Sequence, residues 1–280
     1  MPRCTCSCVG RRTDAALTMA TDNPLERMLH DAWHEPGLRP AVYKRMLDTA
    51  VYVPVEPRPG QTLDRPIPAG ETLDVIALTR IDGIGVLPLF TTPEHLFAAF
   101  PAGARCVLMK VQDLFRTRPD MHFHLNPYSV YGREFSPSDT RSLLATGGIA
   151  VTERIWVPYA EETDFKEPDN PPQAILSALR VLFARNFEIR AAYIAQRSQP
   201  KPDREQLLVV VDLVEGGSEK RALREAGTVV TELVEFGMPR FAFAVLPRDG
   251  SPIARYFEQA TPFYTIGLAS SIAAALKLPS

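Results

Sequence analysis

At the heads of four predicted helices a small polar residue stands directly before proline: Asn23-Pro24, Thr92-Pro93, Ser136-Pro137 and Asn170-Pro171-Pro172. The polar side chain can accept from the unpaired N–H groups of a first helical turn, and proline, which has no N–H to satisfy, suits the first helical position. Between these heads lie short runs of β-branched and aromatic residues, such as Val51-Tyr52-Val53 and Ile84 to Phe90. Helices interleaved with short strands along the whole length confine the chain to a mixed α/β fold.

The elements can be placed one by one. Leu25, Met28, Leu29, Ala32 and Trp33 recur on one helical face after Asn23, and Glu26 stands where a capping box needs its carboxylate. A second helix is expected over Ala41 to Leu47 and a strand over Val51 to Val53. Pro54, Pro57, Pro59, Pro66 and Pro68 then argue for an exposed loop over 54–71, since proline cannot donate to a strand ladder. Leu73 to Thr79 and Ile84 to Phe90 flank Ile81-Asp82-Gly83, a hairpin signal. Arg105 to Met109 and His122-Phe123 read as strands, and Ser136 with Asp139 as a capping box whose helix stops at Gly147-Gly148.

At 280 residues two domains are expected, and a proline-rich acidic stretch supplies the boundary. The reading is a disordered tail over 1–22, a first domain over 23–150, a linker over 151–171, a second domain over 172–265 and an extension over 266–280. The second domain reads α-β-β-α-β with a further helix near Tyr256. Net charge is −2 and neither half has a basic excess, so nucleic-acid binding is not expected. Cys4, Cys6 and Cys8 crowd the tail, and Cys106 sits alone in an apolar run, which implies no disulfide framework and a reducing compartment. Met19, just before the first expected helix, is a second candidate start beside Met1. The apolar run Ile266 to Leu278 is too short and polar to span a bilayer.

Chemistry-bearing residues are few. His122 and His124 share one side of a strand, but two imidazoles are too few for a metal, and a third ligand would have to come from His95 or Asp120. Ser129, Ser136 and Ser138 lack any G-x-S-x-G elbow, and no phosphate loop of the usual patterns occurs. No catalytic residue, metal or cofactor is therefore expected. The remaining cluster is Asn126, Tyr128, Tyr131 and Arg133, an Asn-Pro turn followed by tyrosines and a guanidinium that can present a ligand- or partner-binding surface. The same residues also suit a purely structural turn, in which Asn126 bonds its own backbone, Tyr131 packs under the next helix and Gly132 supplies a positive φ.

Several segments together resemble the SseB family, named for enhanced serine sensitivity on overproduction. The resemblance runs through Asn23 to Val53, Pro88-Leu89-Phe90-Thr91-Thr92-Pro93-Glu94, and most specifically Leu125 to Leu144 with Asn126, Pro127, Ser129, Tyr131, Gly132 and Phe135. It resumes in the helix from Pro172, in Ala192-Tyr193-Ile194 and in Thr261-Pro262-Phe263-Tyr264. The resemblance implies consecutive SseB N-terminal and C-terminal domains, each a small mixed or antiparallel sheet packed with helices, in a bacterial cytoplasmic protein. It carries no agreed enzymatic activity with it. The expectation is a non-enzymatic protein linked to serine or amino-acid metabolism through an unknown protein partner or small metabolite. The alternatives are a type III secretion-associated adaptor or chaperone, docking through Ile266 to Leu276, and an enzyme acting on a serine- or sulfur-containing metabolite.

Overall fold

The computed structural model describes residues 23–56, 73–149, 165–197, 206–235 and 238–267. The expected tail with its cysteines and Met19, most of the proline-rich loop and of the linker, and nearly all of the C-terminal extension lie outside the described residues. The chain divides into two compact units, one of Met1–His34 with Ala41–Ile149 and one of Glu35–Pro40 with Ala150–Ser280. Both are mixtures of helix and sheet, eight α-helices and twelve strands among the described residues.

In the first unit α1 (Pro24–His34) and α2 (Arg39–Asp48), whose first two residues group with the second unit, precede β1 (Ala50–Glu56). Strand β1 runs through Pro54 instead of ending at Val53. Proline loses only its donor, and the Pro54 carbonyl still accepts from Ile76 N at 3.0 Å while Val53 and Val55 stay buried. The run before the hairpin is divided: β2 (Asp74–Val75) pairs with β1, and β3 (Leu78–Thr79) pairs with β4 (Gly85–Leu89). The hairpin turn is as expected, with Gly83 at φ 82° and its N–H donating to Arg80 O at 2.9 Å.

Helix α3 (Pro93–Ala99), strand β5 (Arg105–Lys110), helix α4 (Val111–Thr117), strands β6 (His122–Leu125) and β7 (Arg133–Phe135), and helix α5 (Pro137–Thr146) complete the unit. One sheet has the order β2-β1-β5 and the other β3-β4-β6-β7. They meet at a bridge between Tyr52 and Phe90. Strand β6 runs parallel to β4, with β3 and β7 antiparallel outside them. Phe115, Phe123 and Phe135 are fully buried together, Phe115 lying 4.7 Å from Phe123 and 6.1 Å from Phe135 between ring centres.

The second unit holds β8 (Phe165–Lys166), α6 (Gln173–Ala184), β9 (Ile189–Arg197), β10 (Gln206–Leu213), α7 (Glu219–Leu233), β11 (Arg240–Val245), α8 (Pro252–Gln259) and β12 (Tyr264–Thr265). Its sheet has the order β11-β10-β9-β12, with β8 also on β9. Every residue of β10 is buried because helices cover both sheet faces. Leu207, Val209 and Val211 meet α6 and α7, whereas Leu208 and Val210 meet Ile253 and Phe257 of α8.

Candidate functional site

Parallel strands β4 and β6 end side by side at Leu89 and Leu125, and the chain leaves both through polar turns. The Asn126 N–H still donates to Leu89 O at 2.7 Å, extending the ladder by one bond, and then the backbone reverses. Asn126 stands at φ 46° and Tyr128 at φ 70°, either side of Pro127. Asparagine tolerates this left-handed region, but for a bulky tyrosine it is a strained conformation.

A buried network holds the turn. Asn126 is wholly enclosed; its Oδ1 accepts from Thr91 N at 2.9 Å, and its Nδ2 donates to Thr91 Oγ1 at 2.7 Å and to Glu26 Oε1 at 3.0 Å. The Thr91 hydroxyl donates to the same Glu26 oxygen, while Glu26 Oε2 faces His95 Nε2 at 3.3 Å. Asn23 caps α1 by accepting from Leu25 N at 3.0 Å and also donates to Thr91 O. The hydrogen bond to Glu26 raises the pKa of His95 above its ordinary value, with burial opposing and the charges of Glu26 and Glu94 reinforcing it.

This network corrects two expectations. The Glu26 carboxylate does not turn back to its own helix end, because the buried donors of Asn126 and Thr91 claim it. The Asn126 side chain does not bond its own turn either; there its carbonyl does the work, accepting from Ser129 N at 3.0 Å.

Gly132 is required by close approach and not by a positive φ. A Cβ there would lie 2.5 Å from Asn126 O and 2.9 Å from Ser129 O. Tyr131 packs against α1 instead of the following helix, its ring centre 5.3 Å from His30 and 6.2 Å from Trp33. Arg133 lies over the rings of Tyr43 and Phe135 at 5.3 and 5.6 Å. Of the four expected surface residues, Asn126 is therefore an internal pin, Tyr131 and Arg133 are half-buried supports, and Tyr128 is displayed at 79% exposure.

Tyr128 and Pro127 also edge a shallow depression over the sheet, with Leu78, Val86 and His124 among its walls. His122 and His124 do share one face of β6, opposite the buried Phe123 and Leu125. Burial pushes His124 below its ordinary value, against the charge of Glu134. His122 Nδ1 meets Glu134 Oε1 at 3.1 Å, and Arg80 binds the same carboxylate. The third ligand considered from sequence is not supplied: His95 is engaged by Glu26, and Asp120 faces Arg141 at 3.7 Å. Among the described residues, no group of three or more His, Cys, Asp or Glu side chains is placed to hold a metal ion.

Sequence reading alone assigned Glu26 to a helix start and placed Thr91 only within the segment Pro88 to Glu94, and so missed both as partners of Asn126. Only an unusual sharing of a carboxylate between distant segments connects them, and no local spacing encodes that.

Comparison with known proteins matches residues 25–142 to the family pattern described as SseB protein N-terminal domain, and residues 158–265 to that described as SseB protein C-terminal domain. Protein SseB of Escherichia coli (strain K12) and Protein SseB of Shigella flexneri are each 25% identical over 245 residues, covering 87% of this chain and 92% of the relative. No solved structure matches.

Proposed function

This chain belongs to the SseB family, and from that premise we propose that it is a non-enzymatic binding protein whose contact surface is the turn Asn126–Arg133 together with the adjoining end of α1. The partner is a protein, and through it the chain acts on serine or amino-acid metabolism in the cytoplasm. The observation that carries the reading is the display of Tyr128 at 79% exposure on a strained backbone that a fully buried residue, Asn126, holds in place. Val130 at 66% and Trp33 at 53% exposure lie on the same turn and helix. Exposed tyrosine and tryptophan on a rigid support are the residues that dominate binding energy at protein interfaces. Strain retained by surrounding structure is characteristic of functional segments.

The test is recovery of bound material from extract of the source cell with the full chain and with Tyr128→Gly. Glycine accepts φ 70° without strain, so the variant keeps or slightly gains thermal stability, by at most about 1 kcal/mol, while the ring is lost. A protein recovered in stoichiometric amount with the natural chain, and reduced at least tenfold with the variant, supports the reading. Undiminished recovery with Tyr128→Gly overturns it, and retention of a small molecule without any protein transfers the surface to a metabolite.

A further inference from the structure

The Glu26 carboxylate gathers three separate segments at one point. It accepts from Asn126 of the turn after β6 and from Thr91 of the turn after β4, and it faces His95 of α3, while being carried on α1 itself. We propose that the Glu26–His95 pair is a proton-sensitive latch that sets how firmly the turn bearing Tyr128 is held. Its biological use rests on the reading of that turn as the contact surface; its physics does not.

The Glu26 side chain is only 15% exposed, so its oxygens rely on protein partners for their hydrogen bonds. A protonated imidazole at Oε2 adds an ion pair to the hydrogen bond, whereas a neutral ring leaves at most a bond from an uncharged donor to the carboxylate. The opposite oxygen, Oε1, is the acceptor for Asn126 and Thr91, so a carboxylate less firmly fixed at Oε2 holds both of them less firmly. The positive φ values of Asn126 and Tyr128 favour relaxation once that hold weakens. The charged groups facing His95 are Glu26 from α1 and Glu94 from its own helix, both of which favour the imidazolium. Thr91 and Asn126, which complete the network, are uncharged.

The sign follows from the raised His95 value. A histidine whose folded-state pKa exceeds that of the unfolded chain stabilises fully below the unfolded value of about 6.5, and that contribution disappears as pH rises through the folded value. The turn is therefore tight on the acid side of neutrality and looser on the alkaline side.

Amide hydrogen exchange on the full chain tests this, read as protection factors so that intrinsic exchange rates cancel. The informative amides are Thr91, which donates to Asn126 Oδ1, and Ser129, which donates to Asn126 O. Protection of both is expected to fall about three- to tenfold as pH rises from about 6 through the range in which the His95 ring itself titrates, while amides of α5 stay level. In His95→Gln, which keeps a donor but cannot titrate, the fall should vanish. A fall that persists in His95→Gln, or level protection in the natural chain, overturns the latch. If His95→Gln does not fold, the natural chain still decides. The His95 ring nitrogens and the Thr91 amide shift should titrate with one midpoint, and separate midpoints overturn the proposal. No partner enters these measurements, so their failure leaves the contact surface standing, and loss of the contact surface leaves the latch standing.

Discussion

Asn126 shows how one side chain can satisfy a sharp backbone reversal in a dry interior. Its amide pairs a donor and an acceptor with Thr91 and gives a second donor to Glu26, and a buried amide left without partners would cost several kcal/mol. Asn126→Ala removes the acceptor for Thr91 N and one donor from a largely buried carboxylate. It should destabilise by about 2–4 kcal/mol, measured by urea denaturation. A loss below about 1 kcal/mol would mean that water replaces the side chain and that the network does not hold the turn. That Asn126-Pro127 makes a turn is legible in the sequence, since both residues have local reasons to be there. Its partners are not legible, because Thr91 lies 35 positions away and Glu26 lies 100 away. The same distance rule explains why Tyr131 packs on His30 and Trp33 and not on the helix that follows it.

At the scale of elements, legibility depends on whether the determinants are local. Helix α5 carries all of its own: the Ser136 hydroxyl accepts from Asp139 N, the Asp139 carboxylate accepts in return from Ser136 N, Pro137 opens the helix and Gly147 closes it at φ 72°. Ser136→Ala should cost about 1 kcal/mol of stability, read from the shift in urea midpoint. A neutral result would mean that Asp139 alone serves the helix end. Helix α7 is the contrasting case. Its Ser218 side chain makes no cap, and the turn before β9 supplies the anion instead, Glu188 Oε2 accepting from Ser218 N at 2.9 Å. That bond, with Arg221 assisting against burial, holds the Glu188 carboxyl below its ordinary range. Nothing near Ser218 in sequence announces a carboxylate 30 positions earlier. The divided run Leu73 to Thr79 fails for a related reason: propensity marks it as extended, but which sheet each half joins depends on distant β1 and β4.

At the scale of the molecule, the short segment Glu35–Pro40 belongs to the second unit although its neighbours on both sides belong to the first. Gly37 is buried there, and a Cβ would lie 2.3 Å from Ala178 O and 2.9 Å from Leu182 N, backbone atoms of α6 that cannot move aside. Arg39 Nη1 adds a bond of 2.8 Å to Glu232 Oε2, whose side chain is 4% exposed. Residues 150–280 expressed alone should therefore unfold at lower urea than the same unit in the full chain, followed through amide resonances of α6. Gly37→Ala in the full chain should move that transition in the same direction. If neither change shifts the α6 transition, the segment is not part of the unit's core. The sequence by itself determined the mixed α/β succession apart from α4, β7, β8 and β12, the side-chain caps of α1, α3 and α5, and the tight hairpin turn, because each rests on spacing and on turn or cap chemistry within a few residues, whereas Asn170 makes no cap and α6 starts from Pro172. Only the tertiary structure decided that Asn126 is enclosed and Tyr128 displayed, that Glu26 serves a distant turn, and that a six-residue segment crosses to the other unit. Those outcomes depend on which buried donor meets which buried acceptor across the fold, and desolvation enforces such pairings without leaving a periodic mark in the chain.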